Sequence, residues 1–245
     1  MEIENKKGHL HPITIITKEI ISIFDEMGFS VANGPEIENE HYNFDALNIP
    51  AHHPARDMWD TFWLKPLNAR QLLRTHTSPV QIRHMESNKP PIRIIAPGKV
   101  FRHEATDATH EAQFYQIEGL MIDTDVSLTH LKWVLENFFR RLFSENVSVR
   151  FRPSYFPFVE PGVEIDMSCF KCAGAGCSVC KNTGWIEIMG AGMVHPKVLE
   201  SAGIDPTKYR GFAFGGGIDR LAMLKYGIDD VRLLYQGDLR VTNQF

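Results

Sequence analysis

The chain has 245 residues, 43% of them hydrophobic and 23% charged, which suits one globular domain with a sizeable core. No apolar run approaches the ~18 residues of a membrane span, and the N-terminus lacks the apolar stretch of a secretory signal. We therefore expect a soluble, cytoplasmic protein. The net charge of -4 gives no general attraction to nucleic acid, because phosphate binding needs a clustered basic surface.

Three segments are predicted to be helical, and apolar residues recur at helical spacing in the first and the third. The first ends at Gly28, the second has Pro79 in its first turn, and the third follows Ser127, a residue type favoured at helix N-caps. The three helices are predicted at residues 13–27, 78–86 and 128–142.

Short segments between and after these helices have the composition of strands. They are residues 92–96, 100–104, 113–123, 149–152, 155–159, 163–167 and 185–189. Several of the intervening loops are too short to hold a crossover helix, so most of the sheet should be antiparallel. The predicted class is α+β.

Polar residues share one face of the segment 114–122. Alternation places Phe114, Gln116 and Glu118 on one side, whereas Tyr115 and its apolar neighbours face the core. A carboxylate and an amide beside an aromatic ring suit the binding of a cation and a flat ring. A solvated strand face is the alternative, and alternation by itself favours it.

The preceding segment should place Arg102 and Glu104 on a common strand face, with residues 105–112 closing a hairpin. Arginine can bind a phosphate through two parallel hydrogen bonds, and a glutamate can accept a hydrogen bond from an amine. An ordinary cross-strand salt bridge is the alternative.

Two further patterns lie in the C-terminal half. Phe156, Phe158 and Glu160 share one parity, although aromatic residues in such a segment are usually core. Residues 211–217 form a strand that ends in three glycines and leads into a helix that contains Arg220. Glycines let a ligand approach the backbone, and a helix N-terminus favours anions.

All four cysteines, Cys169, Cys172, Cys177 and Cys180, lie in a C-x2-C-x4-C-x2-C array within an insertion at about residues 168–184. Such clustering is unlike a disulfide framework. The array suits a tetrahedral structural zinc site, although its central spacer is shorter than in common zinc ribbons. Reduced thiols in a loop are the alternative, and a zinc module that binds nucleic acid is disfavoured by the acidic charge balance.

Several stretches carry a resemblance to a known family. They include Gly34-Pro-Glu-Ile-Glu38, Arg74-Thr-His-Thr-Ser-Pro79, Phe101-Arg-His-Glu104, Gln116-Ile-Glu-Gly119, Arg152-Pro-Ser-Tyr-Phe-Pro-Phe158 and Gly192-Met-Val-His-Pro196. Together they resemble the signature motifs of class II aminoacyl-tRNA synthetases, and their details resemble bacterial phenylalanyl-tRNA synthetase α subunits. The resemblance extends from about His11 to Phe245, so the chain is similar to that catalytic core without the family's N-terminal coiled-coil arm.

The resemblance implies a fold and a reaction. The expected fold is a mainly antiparallel, six-stranded sheet flanked by helices, in one catalytic domain over residues 1–245. The expected reaction is activation of phenylalanine with ATP, followed by transfer to the terminal ribose 2'-hydroxyl of its tRNA. A non-catalytic or repurposed paralogue is the alternative, but such paralogues usually lose an ATP-binding arginine or the amino acid pocket.

The resemblance also assigns residues to ligands. Arg102 and Arg220 would be catalytic and bind ATP, together with Glu104, His110 and Phe114. Glu160 would bind a magnesium ion shared with the β subunit. Phenylalanine would be bound by Trp59, His76, Ser78, Gln81, Gln116, Glu118, Phe156, Phe158, Val159, Ala213 and Gly215.

The implied partners are a phenylalanyl-tRNA synthetase β subunit, in an α2β2 assembly, and the phenylalanine tRNA. The α chains would pair through the first signature motif. A hydrophobic pocket rejects an added hydroxyl group only about a hundredfold, so editing of mischarged tyrosine is expected, and the family places it on the β subunit.

Overall fold

The first helix shows how local sequence sets the element boundaries in the computed structural model, which describes residues 8–53 and 61–245. His11 is the N-cap, because its Nδ1 accepts a hydrogen bond from the Ile13 backbone N–H at 3.2 Å. Pro12 occupies the first turn, where no helical partner for an N–H is needed. Gly28 follows the helix at a φ of 80°, a left-handed conformation that glycine adopts without a steric penalty.

The described residues form seven α-helices and nine strands in chain order. The helices are α1 (Pro12–Glu26), α2 (Glu40–Asn43), α3 (Ser78–Ser87), α4 (Leu128–Leu142), α5 (Pro196–Ser201), α6 (Ile218–Tyr226) and α7 (Leu239–Thr242). The strands are β1 (Ser30–Val31), β2 (Ile37–Asn39), β3 (Gln71–Leu73), β4 (Ile92–Phe101), β5 (Gln113–Asp123), β6 (Val149–Phe156), β7 (Val159–Ser168), β8 (Trp185–Val194) and β9 (Arg210–Gly217).

Seven of these strands form one sheet, in the order β1-β4-β5-β9-β8-β7-β6. Neighbours from β4 to β6 in that order are antiparallel, which confirms the mainly antiparallel α+β prediction. The expected strand number of six was too low, because the two-residue β1 pairs in parallel with β4 at the edge of the sheet. β2 and β3 form a separate antiparallel pair.

Two predicted strands, 92–96 and 100–104, are a single strand in the structure. Pro97 and Gly98 do not interrupt β4, because pairing with β5 continues through Ile117 and Gln116 opposite them. β4 ends at Phe101, so Arg102 and Glu104 lie in the connection to β5 and not on a strand face.

The predicted strand 155–159 is also wrong, because it contains a tight turn. β6 ends at Phe156, Pro157 and Phe158 form the turn, and β7 begins at Val159. Proline has no N–H to donate to a strand ladder, so a turn suits it better than a strand interior. The Asn48 side chain holds the turn by donating a hydrogen bond to the Pro157 carbonyl at 2.7 Å.

Each face of the sheet packs on its own hydrophobic core. One core contains residues of α1, α4 and α6, including Phe24, Phe138 and Leu221. The other contains residues of α3 and α5, such as Val80 and Val198, and lies on the face to which the Glu118 side chain points. Among the described residues no helix combines the length and apolar character needed to cross a membrane.

Candidate active site

A cavity of about 400 Å³ lies on the face of the sheet covered by α3 and α5. Every described residue that was predicted to bind phenylalanine lines this cavity. Trp59, which was also predicted to bind phenylalanine, lies outside the described residues. These lining residues are His76, Ser78, Gln81, Gln116, Glu118, Phe156, Phe158, Val159, Ala213 and Gly215. Residues that are far apart in sequence are therefore brought together around one space.

Glu118 is buried at the polar end of this cavity, with 6% of its surface exposed. One carboxylate oxygen accepts hydrogen bonds from the Ser78 hydroxyl and the Gln81 amide, both at 2.7 Å. The other accepts from the Thr77 backbone N–H at 3.2 Å. The solvated strand face that alternation favoured is therefore wrong at Glu118.

Burial raises the pKa of Glu118 to about 7, although its hydrogen-bond donors favour the charged form. The carboxylate therefore titrates near neutral pH. Beside it, the Oε1 atom of Gln116 is buried and has no hydrogen-bond partner among the described residues. A bound cation would supply the charge or the donor that each of these oxygens can use.

His76 lines the same cavity in a buried position. Burial, with the nearby charge of Arg102, lowers the pKa of His76 to about 3. The ring is therefore neutral at physiological pH, and it contributes a polar but uncharged wall.

The apolar end of the cavity is built around Phe156 and Phe158. Their ring centroids are 5.9 Å apart, and the ring planes differ by 22°. A side chain at Gly190 would place its Cβ 2.9 Å from the Phe156 ring, so the small residue on β8 leaves room for that ring. The rings are thus set by the turn between β6 and β7 and by the close approach of β8.

A second cavity, of about 180 Å³, adjoins the first. All the residues predicted to bind ATP line it, and Arg102 lines both cavities. They are Arg102, Glu104, His110, Phe114 and Arg220. The resemblance assigned two arginines, Arg102 and Arg220, to the nucleotide. Although they are 118 positions apart in the sequence, both border this one cavity.

Arg102 is held in place from several sides. Its Nε donates a hydrogen bond to the Thr75 carbonyl at 3.1 Å, and its guanidinium carbon lies 5.1 Å from the centre of the Phe114 ring. Its contact with Glu104 is long, at 4.0 Å, so the simple salt bridge considered as an alternative describes it poorly. Burial lowers the pKa of Arg102, while the charges of Glu104 and Glu118 raise it.

The connection between β4 and β5 has internal order near His110. The Asp107 carboxylate accepts hydrogen bonds from the backbone N–H groups of Thr109 and His110, at 2.6 Å and 2.8 Å, and lies 3.0 Å from the His110 ring. These contacts lower the pKa of Asp107. The loop therefore presents His110 to the second cavity from a preformed turn.

Glu160 lies apart from both cavity linings. Its side chain is 74% exposed, and His195 Nε2 lies 3.3 Å from its carboxylate. Because the His195 Nδ1 atom accepts a hydrogen bond from the Lys197 backbone at the start of α5, the other ring nitrogen carries the proton and faces Glu160.

Among the lining residues that were not assigned from the sequence, Tyr155 and Asp219 carry polar groups that the folded chain positions. Tyr155 lines the larger cavity and is 72% exposed. Its hydroxyl oxygen lies 3.1 Å from Nε2 of His53. Strand alternation in the sequence does not predict such a position. Asp219 lines the second cavity and is buried. Its signal was present, because a carboxylate directly before Arg220 in a helical first turn needs hydrogen-bond donors.

The four cysteines converge in the segment between β7 and β8. Their sulfur atoms all lie within 4.8 Å of one another, with separations of 3.7 Å for Cys169 and Cys177 and 3.8 Å for Cys172 and Cys180. Backbone N–H groups point at the sulfurs, including Gly176 to Cys172 at 3.2 Å. A tetrahedron with metal–sulfur bonds of about 2.3 Å has edges of about 3.8 Å, so the thiols are spaced for one metal ion.

Comparisons with known proteins agree with this geometry. Residues 2–245 match the family model for the core domain of class II tRNA synthetases (F). The chain is 58% identical over 243 residues to the phenylalanine–tRNA ligase α subunit of Dehalococcoides mccartyi, with 97% of this chain and 70% of that protein covered. It is 57% identical over 242 residues to the α subunit of Bacillus licheniformis, with coverages of 98% and 70%.

A solved structure of pyrrolysyl-tRNA synthetase from Desulfitobacterium hafniense superposes with a TM-score of 0.68 at 18% identity, covering 92% of this chain and 74% of that one. At that identity the likeness establishes the fold. The sequence matches go further: the chain belongs to the class II aminoacyl-tRNA synthetases, within the family of phenylalanine–tRNA ligase α subunits.

Proposed function

We propose that this chain is the catalytic α subunit of a phenylalanine–tRNA ligase, which joins phenylalanine to AMP and passes it to the terminal 2'-hydroxyl of its tRNA. The observation that carries the proposal is the pair of adjoining cavities with Arg102 between them. One cavity has an aromatic end and a buried carboxylate, as an aromatic amino acid requires. The other contains cationic and aromatic residues, as a nucleotide requires.

In the larger cavity, the phenylalanine ammonium group would lie against Glu118, Gln116 and Ser78. Glu118 supplies a buried negative charge, and the unpartnered Gln116 oxygen supplies an acceptor. The substrate ring would extend toward Phe156 and Phe158, where edge-to-face contacts are favourable. Ala213 and Gly215 on β9 line the same cavity, and Ala213 would set the depth of the pocket.

In the smaller cavity, adenine would stack on Phe114 with its amine near Glu104. Arg102 would hold the α-phosphate and the amino acid carboxylate together, while His110 and Arg220 would bind the outer phosphates. Attack of the carboxylate on the α-phosphate needs alignment and charge stabilisation, and no side-chain base is required. The position of Arg102 at the junction suits both needs.

Magnesium would accompany ATP and supply charge neutralisation on the phosphates. We further assign Glu160 as a ligand of a magnesium ion shared with the β subunit. Its carboxylate is exposed, and carboxylate oxygens are the ligands that magnesium prefers. One exposed ligand fits a site that a partner completes.

The β subunit would therefore be a structural and functional partner. The relatives' name as α subunits supports such a partner and a tRNA substrate. The apolar end of the cavity would reject the added hydroxyl group of tyrosine only about a hundredfold, so editing, which the family resemblance places on the β subunit, is part of the proposal. Pairing of two α chains, giving α2β2, is part of the same proposal.

The function is tested by ATP–pyrophosphate exchange with the α and β chains purified together, supplying each proteinogenic amino acid in turn. We expect exchange with phenylalanine and trace exchange with tyrosine, about a hundredfold lower in kcat/KM. Exchange with a different amino acid would overturn the specificity. No exchange with any amino acid would favour the non-catalytic paralogue.

We propose that the cysteine cluster binds a structural zinc ion. The sulfur separations fit tetrahedral coordination, and the N–H groups directed at sulfur would stabilise thiolates. Four protein ligands leave no open position for substrate, so the zinc would fasten the segment between β7 and β8 without taking part in the reaction.

Metal analysis of protein purified without chelators should find about one zinc per chain, as one tetrahedral four-thiolate site requires. Cys172→Ser should lower zinc content well below one and lower the Tm, because one of the four ligands is lost. Ser178→Ala, an exposed change between Cys177 and Cys180, should leave both values unchanged. Unmodified protein with no zinc and four titratable thiols would support reduced cysteines instead.

A further inference from the structure

We propose that Tyr235 is a positioning residue for the nucleotide site, acting through the buried carboxylate of Asp219. The inference rests on the ATP site proposed above. It adds that the hydrogen bond between Tyr235 and Asp219 aligns the elements that carry the ATP-binding residues. Neither residue was assigned a role by the sequence.

Asp219 lies in the first turn of α6, directly before Arg220, and 4% of its surface is exposed. One carboxylate oxygen accepts a hydrogen bond from the Tyr115 backbone N–H at 2.7 Å. The other accepts a close hydrogen bond from the Tyr235 hydroxyl. A buried carboxylate needs such donors, because burying a charge without partners is costly.

The bond to Tyr115 continues the sheet where β9 ends. The last β9 residue, Gly217, is paired with Gln116, so Tyr115 lies one residue beyond the last pair of that ladder. Where the chain turns from β9 into α6, the Asp219 carboxylate, and not a β9 carbonyl, accepts the hydrogen bond from the Tyr115 N–H. It therefore fixes α6, which carries Arg220, against the part of β5 that carries Phe114.

Tyr235 connects this carboxylate to a third element of the site. It follows the 3-10 turn Val231–Leu234, in which the Val231 N–H donates to the Ala108 carbonyl at 2.9 Å. Ala108 lies in the loop that presents His110. The same turn is anchored to the start of α1, because His11 Nε2 donates to the Leu234 carbonyl at 2.8 Å.

The elements carrying Phe114 and Arg220 thus meet at Asp219, and Tyr235 joins to that carboxylate the turn whose Val231 holds the His110 loop. The groups around the larger cavity are held differently, since Glu118 is bonded to residues at the start of α3. Loss of the Tyr235 hydroxyl should therefore disturb the binding of ATP and leave the binding of phenylalanine intact.

The test compares Tyr235→Phe with the unmodified chain, each purified with the β subunit, in ATP–pyrophosphate exchange. We expect the KM for ATP to rise about tenfold, on the scale of one lost hydrogen bond to a charged group, and the KM for phenylalanine to change less than twofold. Tyr226→Phe is the matched control, because Tyr226 ends the same helix and packs on Phe245. It should leave both KM values unchanged.

A double-mutant cycle with Asp219→Asn identifies the route. If Tyr235 acts through Asp219, the combined variant should raise the KM for ATP by clearly less than the product of the two single effects. A full product, equal rises in both KM values, or unchanged values in Tyr235→Phe would each overturn the inference. If the unmodified complex itself shows no exchange, the proposed function fails, and calorimetric titration with ATP still measures whether Tyr235→Phe weakens nucleotide binding.

Discussion

Arg102→Ala should lower kcat/KM for phenylalanine-dependent pyrophosphate exchange by about 10²–10³-fold, the effect of removing one preorganised donor from a reacting oxyanion. The guanidinium lines both cavities, and its Nε is bonded to the Thr75 carbonyl, so it is fixed before either substrate arrives. Alanine removes the charge and leaves the phosphate without its central contact.

Arg93→Ala is the matched control, because Arg93 is an exposed arginine near the other end of β4. It should retain exchange within about twofold, as surface substitutions usually do. If Arg102→Ala stayed folded by circular dichroism and kept comparable activity, the assignment of Arg102 to the reaction would be wrong.

Glu118→Gln should lower kcat/KM for phenylalanine by about 10²-fold, because truncating one partner of a buried charge pair costs at least about 2–5 kcal/mol. The change keeps the shape of the side chain and removes the charge that is proposed to face the substrate ammonium group. The KM for ATP should change little, since Glu118 lines the larger cavity and not the smaller one.

The pH dependence gives a second measurement on the same residue. With a pKa of about 7, Glu118 becomes neutral as the pH falls below 7, so the KM for phenylalanine should rise toward acid pH in the unmodified enzyme. Glu118→Gln should lose that rise. Glu187→Gln, an exposed carboxylate on β8, should keep it, and a rise that persists in Glu118→Gln would assign the titration to another group.

The sequence predicted those parts of the fold in which local pattern and tertiary packing agree. α1 has one apolar stripe and capping residues at both ends, so its spacing alone locates it. β5 was predicted with its observed bounds, because its strict alternation places Tyr115 and Ile117 on one core and Glu118 on the opposite face. For such elements, the local sequence pattern is sufficient to predict the secondary structure.

Prediction failed where neighbouring strands decide the outcome. Pro97 and Gly98 look like a break, yet β5 lies alongside and keeps both residues in the ladder of β4. The alternation around Phe156 and Phe158 concealed a turn that Asn48 holds from a distant segment. In both cases the deciding contacts join residues far apart in sequence.

The candidate site shows the same division. Residue type and motif order selected the groups that line the two cavities, but the selection came from the resemblance, since no periodicity places His76 near Phe156. Burial, which distinguishes the buried carboxylate of Glu118 from the exposed one of Glu160, also depends on the folded chain. The acidic residue before Arg220 is visible in the sequence, but the hydrogen bonds that Asp219 accepts form only when β9, β5 and Tyr235 have assembled.

The shared border between the two cavities has a thermodynamic consequence. Because the Arg102 guanidinium lines both cavities, binding in one would alter the electrostatic environment of the other, which would be a coupling free energy between the two sites. Linkage requires that coupling to be reciprocal: whatever factor ATP confers on the affinity for phenylalanine, phenylalanine confers on the affinity for ATP.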